Sequence, residues 1–132
     1  MPLSGLDVRL IGEAPDAIAP DGSEVRILCG VAGGGTALFR LRAGAVSRAV
    51  THGTVEEIWY VVAGEGRIWR RLGGDETIDG LAPGVSLTIP LGTRFQFRND
   101  GLGPLDILGV TMPPWPGSEE ARPVAGKWIA TL

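Results

Sequence analysis

One imidazole exists in this chain, His52, and it stands five residues ahead of a carboxylate, Glu57, within the segment Gly44-Ala-Val-Ser-Arg-Ala-Val50-Thr-His52-Gly-Thr-Val-Glu56-Glu57. An imidazole and a carboxylate held together have two chemistries open to them, binding a divalent metal or moving a proton as general acid and base. A stable first-row metal site usually draws three or four donors. With one His and one Cys in the whole chain, such a set is short of ligands. Cys29 follows Ile27 and Leu28 and precedes Val31, neighbours that predict a buried core thiol and not a nucleophile. Gly64-Glu-Gly66 is followed by no helix start that would offer N–H groups to a phosphate. No nucleophile elbow, Walker loop or Cys-x-x-Cys occurs.

The elements that must position His52 and Glu57 read as short strands. The chain has 132 residues and 44% hydrophobic content, enough for one buried core, and its 21 glycines and 10 prolines are scattered without a triplet period. Residues 7–11, 24–31, 36–42, 46–52, 56–62, 67–72, 76–79, 85–89, 93–98 and 105–112 carry strand signals, separated by Gly, Pro, Asn and Asp turns. Ala37, Phe39 and Leu41 alternate with Leu38, Arg40 and Arg42, the period of a half-buried strand. Strands of this number must pack as two sheets or close into a barrel to hide their edges, so an all-β jelly roll is the natural solution. The prolines of residues 113–116 exclude a central strand there, and the C-terminal segment is expected to cross the outside, anchored by Trp115 and Trp128.

The formal charge of −3 gives no electrostatic reason to bind a nucleic acid or an anionic membrane. No apolar run approaches the ~20 residues needed to cross a bilayer. The start Met-Pro-Leu-Ser-Gly lacks the basic-then-apolar order of a signal peptide, so a soluble, cytoplasmic protein is expected. Arg67, Arg70 and Arg71 are expected on a solvated hairpin.

Gly44-x5-Val50-x-His52-x4-Glu57-x6-Gly64 resembles the first cupin motif, Gly-x5-His-x-His-x(3–4)-Glu-x6-Gly, with Val50 at the first histidine position. Gly84-x5-Pro90-x-Gly92-x2-Phe95-x3-Asn99 resembles the second, Gly-x5-Pro-x-Gly-x2-His-x3-Asn, with Phe95 at the histidine position. The two span residues 44–99, with the 19 residues 65–83 between them. The resemblance implies a single cupin domain over residues 1–132: a double-stranded β-helix, or jelly-roll barrel, with a ligand site inside, often a homodimer. Cupins that act as metal enzymes set three His and one Glu around the ion. Here only His52 and Glu57 stand at those positions, so no cofactor and no tightly bound metal is expected, and any metal would have that pair alone.

Strand parity predicts which side chains share the barrel interior with the pair. Arg48 and Val50 precede His52 on its strand, Trp59 and Val61 follow Glu57, and Phe95 and Phe97 join them. The result is a mostly apolar pocket with a few polar groups, the general make-up of a small-molecule site. The main reading is a binding protein for a small molecule, a sugar or a carboxylate-bearing metabolite. A metal-independent isomerase, epimerase or lyase using His52 and Glu57 as acid and base is the alternative, and a metal-dependent enzyme with a reduced ligand set is a third. Glu56 is expected to face solvent. Ile58, Tyr60 and Val62 make the same strand apolar on its outer face as well, which predicts a homodimer.

Overall fold

The computed structural model describes residues 5–132. Strands follow one another as β1 (Ala17–Ile18), β2 (Glu24–Val31), β3 (Gly34–Leu41), β4 (Val50–His52), β5 (Glu56–Ala63), β6 (Gly66–Leu72), β7 (Asp75–Leu81), β8 (Ser86–Ile89), β9 (Arg94–Asn99), β10 (Leu105–Met112) and β11 (Ala121–Pro123). A 3₁₀ turn, Ser118–Glu120, precedes β11. They form two antiparallel sheets, one ordered β1-β2-β3-β10-β5-β8 and the other β11-β4-β9-β6-β7. Among the described residues no helix is long and apolar enough to cross a membrane.

Turn chemistry sets the strand ends where the sequence places them. Gly73-Gly74 joins Leu72 to its cross-strand partner Asp75, with Gly73 at φ 59, a left-handed conformation that glycine enters without steric cost. Gly64 has φ 90, and a Cβ there would lie 2.5 Å from the Pro104 carbonyl oxygen, so this turn admits no side chain.

Cross-strand register explains where the interior is filled and where it is open. Inward positions of the larger sheet line up in rows: Gly35–Thr111–Glu57–Ile89, then Ala37–Gly109–Trp59–Leu87, then Phe39–Ile107–Val61, then Leu41–Leu105. The last two rows are bulky, and with Ile68 and Phe97 of the facing sheet they make a closed core in which Val61, Ile68, Phe97, Leu105 and Ile107 have no exposure. In the first two rows the space over Gly109 is taken by the Phe39 ring, but Gly35 and Ala37 contribute almost no volume. That deficit leaves a cavity of about 650 Å³ at this end of the barrel.

Three expectations need correction. Residues 7–11 form no strand, because the segment finds no ladder partner, and Leu6, Val8 and Leu10 stand 97%, 98% and 89% exposed. Residues 46–52 are not one continuous strand; only Val46 bridges to Arg98 before β4 begins at Val50. Between them the backbone is satisfied elsewhere: the Gln96 amide donates to the Ser47 carbonyl at 2.8 Å, and Val124 N donates to the Ala49 carbonyl at 3.1 Å. Third, Cys29 is half-buried, not sealed in the core. The β2–β3 register slips between Ile27 and Gly30, and this bulge turns Leu28 and Cys29 toward the cavity.

In the C-terminal segment, β11 pairs with β4 as an edge strand where Pro123 is tolerated. Trp128 lies beneath the guanidinium groups of Arg67 and Arg98, 5.7 Å and 5.3 Å from its ring centre. Glu120 closes the loop after β4: its carboxylate accepts from the Thr54 hydroxyl and from the Thr54 and Val55 main-chain N–H groups. Burial pushes that carboxyl up, yet these hydrogen bonds outweigh it and hold the group below the usual range.

Candidate functional site

His52 ends β4 and Glu57 stands second in β5, so each comes from a different sheet and points inward at the cavity. Both are buried, with side-chain exposures of 5% and 3%. His52 Nδ1 lies 3.1 Å from Glu57 Oε2, but the approach is too bent for a hydrogen bond and leaves this buried nitrogen without a partner. The other carboxyl oxygen, Oε1, accepts from Trp59 Nε1 at 3.0 Å.

The surroundings set the charge states. Burial pushes the Glu57 carboxyl up to about 7, against the Trp59 hydrogen bond that pulls it down, and the nearby Asp21 carboxylate adds to the rise. Burial lowers the His52 pKa, and the Glu120 carboxylate only partly offsets this. Near neutral pH the imidazole is therefore uncharged and the carboxyl beside it is poised to hold or release a proton.

Aromatic rings frame the pair. His52 meets Phe95 and Trp115 edge to face, with ring centres 5.3 Å and 5.1 Å apart. Trp59 in turn packs on Phe95, Phe97 and Phe39 at 5.6, 5.0 and 5.7 Å. Phe39 gets this close because its ring lies over Gly109, where any Cβ would collide with it.

Of the residues read from the sequence, His52, Glu57, Val50, Trp59 and Phe95 come together on the cavity wall. Val61 and Phe97 point inward as their parity requires, but they sit a row deeper, in the closed core, and do not line the cavity. Arg48 is not there either. It is exposed, and its Nε donates to the Leu132 main-chain oxygen at 2.8 Å, because the break in the strand at 47–49 destroys the alternation that placed it inside. Glu56 faces solvent as expected.

Cys29, Thr111 and Trp115 also line the cavity and were missed. Thr111 is the cross-strand partner of Glu57 and follows once the strand pairing is known. Trp115 was expected outside, yet it folds back from the proline-rich strap onto His52 and remains 38% exposed at the mouth. Its position among three prolines carries no periodic signal.

The donor set does not fit a metal. At the four positions where metal-binding relatives of such motifs carry ligands stand Val50, His52, Glu57 and Phe95, and Val50 pairs directly with Phe95 across the β4–β9 ladder. Two of the four offer hydrocarbon. The two that remain face one another at 3.1 Å, with the second Glu57 oxygen held by Trp59. Among the described residues no group of three or more His, Cys, Asp or Glu is arranged to hold an ion.

Two antiparallel sheets with a ligand-sized cavity between them define a β-barrel of the jelly-roll class. The cupin domain model matches residues 37–111, and the chain belongs to the cupin family. No curated protein matches the chain. Among solved structures, the protein BH2720 of Bacillus halodurans is similar, 20% identical with a TM-score of 0.64 over 77% of this chain and 76% of its own. The capsular polysaccharide assembling protein CapF of Staphylococcus aureus is 16% identical, with a TM-score of 0.69 over 87% of this chain and 34% of its own. A Bacillus subtilis oxalate decarboxylase is 18% identical, with a TM-score of 0.67 over 78% of this chain and 29% of its own. These likenesses are of fold, and the chain spans only about a third of the last two.

Proposed function

We propose that this cupin, acting as one domain over its whole length, binds a small organic molecule in the barrel cavity without a tightly held metal. The observation that carries the reading is the cavity itself: about 650 Å³, within the size range of small-molecule sites, walled by hydrocarbon and aromatic rings around one buried His–Glu pair. With Nδ1 facing Glu57, the imidazole has Nε2 left to meet a ligand.

A thermal-shift screen of small sugars, carboxylates, alcohols, phenols and ketones, followed by calorimetry on the hits, tests the proposal. Binding is expected to weaken at least tenfold in His52→Phe, which fills the place of the imidazole with an apolar ring. Elemental analysis of protein purified without chelator is the second arm. Near-stoichiometric iron, manganese, nickel or zinc that is lost in His52→Phe would overturn the metal-free reading.

One observation favours a second reading, acid–base catalysis: a carboxyl near pKa 7 beside a neutral imidazole is suited to proton transfer at physiological pH. It separates from simple binding by turnover. Catalysis predicts that Glu57→Gln keeps the affinity for a ligand found in the screen but abolishes its conversion; a bound ligand recovered unchanged from the native protein speaks for binding alone. We also propose a homodimer formed through the outer face of the larger sheet.

A further inference from the structure

We infer that the molecule this cavity accepts is uncharged and largely apolar, with one hydroxyl or carbonyl group that meets the His52 imidazole. The inference rests on the cavity being a binding site and narrows what it binds, away from the sugar or carboxylate that the sequence suggested.

Three features of the wall carry it. First, the deep surface around the pair is hydrocarbon: Val50 and Phe95 stand beside His52, Ala37 and Gly35 leave the space, and Ile27 faces into it from β2. A sugar would bring many hydroxyl groups to a surface able to satisfy few of them.

Second, an anion finds no counter-charge. Among the described residues of the wall the basic side chain is Arg9, and it lies at the rim, 45% exposed, with its guanidinium 3.7 Å from the Asp16 carboxylate. Deeper in, beside the His52 imidazole whose pKa burial lowers, stand the acids Asp21 and Glu57, with Asp7 on the N-terminal segment. A carboxylate would be desolvated beside carboxyl groups.

Third, those acids are engaged by the protein's own donors, so an ammonium gains little from them. Glu57 accepts the Trp59 indole N–H at 3.0 Å on one oxygen, and burial raises its pKa to about 7, so at mildly acidic pH it offers an ammonium little charge. Asp21 accepts from the Ser23 N–H at 2.9 Å and from the Ser23 hydroxyl at 2.7 Å. What the site leaves for a ligand is a short supply of polar side-chain atoms, the His52 imidazole and the Thr111 hydroxyl among them. With Nδ1 turned to Glu57, Nε2 is the imidazole nitrogen available to hydrogen-bond a single hydroxyl or carbonyl, and the Trp115 ring, 38% exposed at the mouth, offers an aromatic surface to a flat apolar body.

A matched set of three probes tests this: 2-naphthalenemethanol, 2-naphthoate and 2-naphthylmethylammonium, which share one ring system and differ in charge. Affinities are measured by calorimetry at pH 6 on the native protein, on His52→Phe and on Ala37→Leu, which grows a side chain into the cavity from a position with space. The alcohol is expected to bind at least tenfold tighter than either ion, to weaken at least tenfold in His52→Phe, and to be lost in Ala37→Leu, with near-ultraviolet circular dichroism checking that both variants are folded. If His52→Phe does not fold, the ranking of the three probes and the Ala37→Leu loss still decide. Either ion binding as tightly as the alcohol, and displaced by Ala37→Leu, would overturn the neutral-ligand inference while leaving the cavity as the site. No binding by any of the three, or binding that Ala37→Leu does not touch, would overturn the site itself and the inference with it.

Discussion

Glu57 is an acid in surroundings that favour its neutral form, and this makes the stability of the protein depend on pH in a definite direction. Its pKa rises from 4.5 when exposed to about 7 in the fold, so between those values the folded state binds more protons than the unfolded chain. Stability from this group is therefore complete below about pH 4.5, falls as the pH rises toward 7, and is level above. His52 acts in the opposite sense: its pKa is lowered by burial, so its contribution is lost as the pH falls below 6.5. The two oppose one another in the acidic range, and a difference measurement separates them. Urea unfolding of the native protein and Glu57→Gln from pH 4.5 to 8.5 is expected to show the native protein losing about 3 kcal/mol relative to the variant across that window, the free-energy equivalent of a shift from 4.5 to about 7. A difference that stays flat with pH would mean that Glu57 is ionised in the fold throughout. The pair itself was legible in the sequence, because the spacing of the motif fixes which strand end and strand start must meet. Cys29 and Trp115 were not, since a bulge rotates the first and a strap without periodicity delivers the second.

Strand alternation carried most of the fold, and it failed where the ladder is interrupted. β3, β5 and β10 lie within a residue or two of their expected ends, whereas Arg48 was misplaced because the ladder is irregular at residues 47–49, where the Arg48 N–H turns to the Asp21 carbonyl and the Ser47 and Ala49 carbonyls accept from Gln96 and Val124. Alternation also says nothing about volume. The cavity follows from Gly35 and Ala37 standing across from Thr111 and from a Gly109 that the Phe39 ring already covers, a fact that needs the cross-strand register. Gly109 and Ala37 should therefore respond differently to enlargement. Gly109→Ala drives a methyl into the Phe39 ring and is expected to cost about 1–3 kcal/mol, read as a lower urea midpoint. Ala37→Leu grows into open space and is expected to change stability by less than about 1 kcal/mol while blocking the cavity. Equal losses in the two would mean that the cavity is already filled by repacked side chains. Glu120 makes a comparable point for the strap. Glu120→Ala strands the Thr54 and Val55 N–H groups, so a cost of about 1–3 kcal/mol and faster amide exchange at both positions are expected.

At the scale of the whole molecule, the outer face of the larger sheet and the N-terminal segment both present hydrocarbon to water. Register sets Tyr60 beside Leu108 and Ile58 beside Val110, so side chains that alternate along single strands merge into one continuous patch, with Val62 at its end. Ile58, Tyr60 and Val62 are 45%, 47% and 49% exposed, and Leu6, Val8 and Leu10 are nearly free of contact. An apolar patch of this kind is unusual on a monomer and is relieved when a second copy covers it. The chain is therefore expected to have a solution mass of twice its 13.8 kDa by light scattering at micromolar concentration. Tyr60→Glu sets a charge at the centre of the patch and should halve that mass. Because Tyr60 and Trp59 are adjacent in β5 and point to opposite faces, the substitution leaves the cavity wall in place, and probe binding by the separated subunit should persist. A native protein that runs as a monomer at that concentration would remove the dimer; a Tyr60→Glu monomer that no longer binds would mean the second copy helps to close the cavity, with the exposed N-terminal segment, which reaches the rim through Val8 and Arg9, as the part it must hold down.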